Sequence, residues 1–411
     1  MSGAGGEAPR VGYRDALASR EFRALLVSQA VSIAGTSIAA VALTILVYAR
    51  TGSAFLSSLT FALGFIPYVF GGGVLSSAVD RVRPRRLVNA CDAGSAVIAA
   101  SMAVPGIPIG VLLFLLFALG TLSAVAGGAR AALLRSTIPD EAYVPARSLM
   151  KLAGQIAQIA GNAIGGGLVI LAGTSGAILI NAATFALAFL LVRFRVGDHD
   201  SPSTRGTAGL LRDSLHGARE IFGRAPLARL LLLGWLVPMF SVWPEALAAP
   251  YISGHGGSAR LVGWWLAALP AGTIAGDIAG VRFLRPARQR ILVVPIAAAG
   301  FVPYLFFGLD PPVAAAIGLL VLSGATGMYS LGLDGLIRDA TPDRLFTRAM
   351  TLNQAGLMTL QGIGFALAGA VADQTGPASA VAIAGVCGLL AVAVLALGRA
   401  GTSAGVPNLF S

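Results

Sequence analysis

Apolar stretches long enough to cross a bilayer follow one another along the chain, separated by short polar runs. A hydrocarbon core of about 30 Å needs roughly 17 to 25 residues of helix. On that measure the pattern predicts helices over 24–49, 54–79, 87–105, 109–134, 148–172 and 175–195, then over 226–250, 260–282, 290–308, 311–335, 348–373 and 377–398. The twelve fall into two groups of six. Between them lies the one long polar stretch, 193–225, with six arginines, four acids and two histidines. The expected organisation is a tail over 1–23, a six-helix bundle over 24–192, a linker over 193–225, a second bundle over 226–398 and a tail over 399–411.

Composition turns this pattern into a class. Of 411 residues, 56% are hydrophobic and 11% charged, against roughly a quarter charged in a soluble domain. A soluble enzyme, a coiled coil and a disordered chain are excluded. What remains is an all-α, multi-pass membrane protein. The first 23 residues are polar and the apolar stretch after them exceeds a signal-peptide core, so the first helix is expected to stay in the membrane. Cys91 and Cys387 sit in apolar stretches of opposite halves, which argues against a disulfide or a metal site.

The net charge of +11 would suggest nucleic acid in a soluble protein. Here its distribution points to topology instead. The two tails, every second loop and the flanking Arg130, Lys151 and Arg229 hold 27 of the 29 basic residues, and only Arg50 and Arg260 fall on the other face. Basic loops stay on the cytoplasmic side, so both termini are expected there, in a cell inner (plasma) membrane. The halves also repeat. A shift of 203 residues superposes Pro67 on Pro270, Gly73 on Gly276, Pro139-Asp140 on Pro342-Asp343, Gly161 on Gly364 and Gly166 on Gly369. Parallel repeats of this kind build two bundles that rock about a central cavity.

The loop after the second predicted helix reads SSAVDRVRPRR from Ser76 to Arg86. It resembles the G-x-L-A-D-R-x-G-R-R signature of the major facilitator superfamily, with Asp80 and Arg81 in the D-R positions and Arg85 in the closing basic position. Ser76 replaces the first glycine, and Arg83-Pro84 displaces the second. The resemblance implies that Asp80, Arg81 and Arg85 help lock the two halves on the cytoplasmic side; the plain alternative is topogenic positive charge. A longer likeness, from Phe117 to Val192, is similar to the branch containing the enterobactin exporter and macrolide-efflux proteins. Within it, Gly161, Asn162, Gly165 and Gly166 occupy the place of the exporters' G-P-x-x-G-G motif, with Asn162 where the proline would stand. Such glycines either serve exporter function or simply pack the helix. The implied fold is twelve transmembrane helices in two pseudo-symmetric six-helix bundles.

Ionisable groups inside a membrane are costly and mark function. Asp92, Asp277 and Asp334 lie near arginine-rich helix ends, where ion pairing or solvation accounts for them. Glu245, in Ser241-Val242-Trp243-Pro244-Glu245, lies inside the seventh predicted helix with no basic neighbour in sequence. It is the proton-coupling candidate, unless that helix ends early and leaves it at the membrane interface. Gln29, Tyr68, Gln155, Gln158, Asn162, Trp243, Trp265, Tyr329, Asn353 and Gln354 are polar or aromatic positions near mid-helix. Together they suggest a cavity with few fixed charges, suited to hydrophobic or amphipathic molecules. The function expected is a proton-coupled exporter in drug or natural-product efflux and multidrug resistance, working by alternating access. An importer or lipid transporter of the same fold, or a membrane sensor that transports nothing, stand as alternatives. No nucleotide-binding signature or enzyme motif occurs. The expected partners are membrane lipid, a small-molecule substrate and protons, with no nucleic acid and no cofactor or metal, in a monomer.

Overall fold

The computed structural model describes residues 13–67, 82–198 and 220–397. Among them every regular element is helical. The first half contributes α1 (Arg20–Thr51), α2 (Ala54–Phe65 within the described residues), α3 (Pro84–Met102) and α4 (Ile109–Thr137). A continuous helical run, Asp140–Arg195, follows, and it breaks at Gly173, where φ is 71° and ψ 174°. Glycine takes that conformation without a Cβ clash, so the run reverses direction there and forms α5 (140–172) and α6 (174–195).

The second half begins with α7, a helix in three pieces: Ala225–Ser241, Trp243–Ala246 and Ala248–Gly254. Next come α8 (Ala259–Phe283) and α9, which is Pro286–Ile291, Val293–Ala299 and Val302–Leu305 ending in a 3₁₀ turn. The broken α10 joins Val313–Ala325 to Tyr329–Ala340, and α11 (Asp343–Thr375) and α12 (Pro377–Leu397) close the chain. Eight described helices are long and apolar enough to cross a membrane, and Ala54–Phe65 and Val293–Leu309 are shorter apolar helices.

Two loops expected from polarity are helical instead. Residues 135–147 and 338–348 mostly belong to the starts of α5 and α11, which begin directly after Pro139 and Pro342. Polarity marks where the hydrocarbon ends, whereas helix hydrogen bonding continues into the interface until a capping residue stops it. Helix starts and ends alternate between two faces. One carries Arg83, Arg85, Arg86, Arg193, Arg285 and Arg290 and is called here the arginine-rich face.

Glycines set the closest helix pairs within each half. A Cβ on Gly161 would fall on the Ala34 carbonyl of α1, and one on Gly364 would fall on the Met239 carbonyl of α7. These two glycines superpose in the sequence repeat, so the α1–α5 contact recurs as α7–α11.

One ion pair is buried in the first half. Arg130 of α4 reaches Asp92 of α3 at 2.5 Å, with side chains 13% and 2% exposed. Asp92 is thus paired inside the bundle and is not solvated at a helix end. Removing one partner of such a pair leaves an uncompensated buried charge, at a cost of about 3–5 kcal/mol. We expect Arg130→Ala to lower the thermal unfolding temperature of detergent-solubilised protein markedly. The double variant Asp92→Asn with Arg130→Gln should recover much of the loss, because it removes both charges together.

Candidate functional site

The two halves meet along two helix pairs near the face opposite the arginine-rich one. In the first, α5 packs on α8. A Cβ on Gly166 would strike the Ala259 carbonyl and the Arg260 Cα, and one on Gly263 would lie 2.5 Å from the Asn162 carbonyl. The buried Asn162 amide donates to the Leu266 carbonyl at 3.0 Å. Asn162 therefore supplies an interhelical hydrogen bond where a proline could supply none. Gly161 and Gly165 face α1, the latter against Ile38 and Val41. Of the four motif residues, two seat α5 in its own bundle and two join it to the other.

In the second pair, α2 packs on α11. Gly369 abuts Phe55 and Ser58, and Phe365 stacks on Phe61 and Phe65 at centroid distances of 5.2 and 5.3 Å. Asp373 then closes the junction. Its carboxylate accepts hydrogen bonds from the Ser53 hydroxyl (2.8 Å) and from the backbone N–H groups of Ala54 (2.6 Å) and Phe55 (3.3 Å). Those N–H groups open α2 and have no partner within their own helix. A carboxylate there is favoured by the helix dipole, while the same carboxylate opposes the dipole in the last turn of α11. Sequence reading passed over Asp373; an acid at a helix C-terminus was the available signal.

Glu245 lies in the central piece of α7, nine residues before the helix ends at Gly254. That is about 13 Å of helix, and Glu245 falls one residue before the end of the apolar span Ala225–Ala246. It is half-buried and forms no hydrogen bond or ion pair among the described residues. Four residues earlier in α7, the Ser241 carbonyl accepts from the Tyr304 hydroxyl of α9 at 2.8 Å. The break around Pro244 frees carbonyls, and the Trp265 indole N–H takes up that of Pro244 at 2.7 Å.

The other expected cavity residues separate into two groups. Gln29, Gln155 and Gln158 are half-buried or exposed on α1 and α5, and Gln354 is exposed on α11. Trp265 is fully buried, tilted against Tyr251 and edge-on to Phe307, and so braces the broken α7. Trp243 and Tyr329 are also buried. Asn353 accepts from the Trp235 indole N–H through both its carbonyl and its side-chain oxygen, at 3.0 and 3.1 Å, and ties α11 to α7. Buried aromatic and amide groups need partners; neighbouring helices provide them for Trp265 and for the Trp235–Asn353 pair, while the buried Trp243 indole nitrogen has none among the described residues. Tyr68, Asp80 and Arg81 lie outside the described residues.

Arg85 donates to the Arg193 carbonyl at the end of α6, and Arg83 pairs with Asp198 at 2.8 Å. The Arg83 hydrogen bond holds the Asp198 carboxyl below the usual carboxylate range. Arg85 thus fastens α3 to α6 within one half and does not bridge to the other. Lys151 is exposed on α5, as is Asp334 on α10, and Asp277 is half-buried on α8.

The Asp373 cap should matter to closure of the face opposite the arginine-rich one. A charge-assisted cap contributes about 1–2 kcal/mol, equivalent to roughly a five- to thirtyfold change in an equilibrium. In a chain lacking its two cysteines and carrying Ser58→Cys, Asp373→Ala should raise maleimide labelling from that face by about this factor.

Residues 25–331 match the model of the Major Facilitator Superfamily. The chain is 25% identical over 395 residues to the multidrug efflux pump Tap of Mycobacterium tuberculosis (strain ATCC 25618 / H37Rv), covering 91% of this chain and 93% of that one. Among solved structures it resembles a mutant of the nucleoside transporter NupG, with TM-score 0.69, 15% identity and coverage of 91% of this chain and 99% of that one. It also resembles a bacterial homologue of the human lysosomal transporter Spinster in an inward-facing, unoccupied conformation, with TM-score 0.67, 15% identity and 96% coverage of each chain. The repeated halves, the glycine-seated helix pairs and the family match lead to one conclusion: the chain is a multi-pass membrane transporter that belongs to the Major Facilitator Superfamily.

Proposed function

We propose that this chain is a proton-coupled exporter of hydrophobic or amphipathic small molecules, with its arginine-rich face and both termini in the cytoplasm of a cell whose plasma membrane it spans. The single observation that carries the coupling is the placement of Glu245. A carboxylate without a partner, in a broken segment of α7 that packs against α11 and α2, can hold a proton when enclosed and release it when water reaches it. The junctions around that segment separate and re-form as the halves rock. Likeness to the Tap efflux pump supports export, and the basic loops support the orientation. Glutamines on α1 and α5 supply the few polar contacts such a cleft needs.

Collapse of an acid-inside pH gradient in inverted vesicles tests this. Lipophilic compounds should collapse the gradient with the unaltered chain, and Glu245→Gln should reduce the proton flux by more than about tenfold while the protein remains folded and inserted. Equal flux from both proteins removes Glu245 from the coupling. Accumulation in right-side-out vesicles under an inward proton gradient supports import in place of export.

A further inference from the structure

Between the ends of α3 and α6, at the arginine-rich face, lies a half-open cavity of about 330 Å³ lined by Arg85, Arg86, Asn89, Phe189, Arg193 and Asp198. That volume is at the small end of ligand sites. One helix turn on each side builds its walls. Arg85 and Asn89 are four residues apart on α3, as are Phe189 and Arg193 on α6, so each arginine stands about 6 Å nearer the helix end than its companion. The cavity is therefore cationic toward the face, and amide and aromatic on its membrane side.

The charges in it do not cancel. Three guanidiniums stand against one carboxylate, and Asp198 is already taken by Arg83 at 2.8 Å, with Arg86 at 3.9 Å. Arg85 donates to the Arg193 carbonyl and so ties the two walls together. The Arg193 side chain is exposed and forms no ion pair of 4.0 Å or less among the described residues. Asn89 is 9% exposed, and its Oδ1 is enclosed without a partner. Oδ1 being the enclosed end, the Nδ2 donor is what this amide offers the cavity. Guanidinium and amide donors placed together fit an anion, and the guanidinium fork matches phosphate oxygens two at a time.

Apolar surface continues from the same place into the membrane. On α3, Ala90 and Val97 extend the helix face of Arg86, and on α6, Leu187, Leu190 and Phe194 form a stripe beside Phe189; all five are exposed. A soluble anion makes no use of this surface, whereas a lipid tail covers it. We propose that the α3–α6 cavity is a site for an anionic phospholipid of the leaflet at the arginine-rich face, its phosphate bonded by Arg86, Arg193 and the Asn89 amide and its chains laid along those two stripes. Basic pockets between membrane helices hold anionic headgroups in this way. The lipid bridges α3 to α6 within the first half and takes no part in the junctions between the halves.

Native mass spectrometry of the full chain in detergent tests this, whichever face is cytoplasmic and whatever is transported. Titration with dioleoyl phosphatidylglycerol should give one lipid bound at least about tenfold tighter than dioleoyl phosphatidylcholine. Arg86→Ala and Arg193→Ala, both at exposed positions, should each weaken phosphatidylglycerol about fivefold and leave phosphatidylcholine unchanged. Arg195→Ala removes the same charge two residues further on, on the other side of α6, and should stay within about twofold of the unaltered chain. The proposal is overturned if Arg86→Ala and Arg193→Ala both bind phosphatidylglycerol like the unaltered chain. It is equally overturned if Arg195→Ala loses as much as Arg193→Ala, which assigns binding to the charge of the whole face. Displacement of the lipid by sn-glycerol 3-phosphate at the lipid's own concentration overturns it as well, because the ligand is then a soluble phosphate ester.

Discussion

The structure depends on backbone-to-backbone contact between helices of different halves. Hydrophobic burial cannot drive association within a bilayer, because lipid tails are as apolar as the helices. What remains is close packing and interhelical hydrogen bonding, and both require the absence of a side chain at the crossing. Gly166 against Ala259 and Gly369 against Phe55 provide this at the two junctions between halves. Each contact sets backbone against backbone with no side chain at the crossing.

The two junctions share a geometry inherited from the repeat but not its chemistry. Asn162 and Phe365 occupy equivalent positions; the first hydrogen-bonds a backbone carbonyl, while the second stacks between aromatic rings of α2. Asp373, whose counterpart is Ile170, adds a carboxylate cap to the second junction alone. The α5–α8 pair is thus joined through an amide, and the α2–α11 pair through aromatic rings and a carboxylate cap.

Broken helices set the remaining geometry. Interruptions in α7, α9 and α10 expose carbonyls at membrane depth, where each unsatisfied group is costly. The fold answers with hydroxyl and indole donors: Trp265 to Pro244, Tyr304 to Ser241 and Ser323 to Gly300. These bonds cluster around Glu245 and keep its segment ordered while leaving the carboxylate itself unpaired. The local cost of irregular backbone is offset by neighbouring helices.

The all-α membrane class was legible in the sequence, because it follows from local properties: apolar length and sparse charge. The glycines of α5 were legible for the same reason. Pairing was not. That Trp265 and Asn353 brace helices, that Arg130 neutralises Asp92, and that Asp373 caps a helix some 320 residues away in sequence depend on which helix faces which. A single helix fixes the face on which a residue lies; only the tertiary arrangement decides what stands opposite, since packing between helices is set by their relative rotation and depth, which no local pattern encodes.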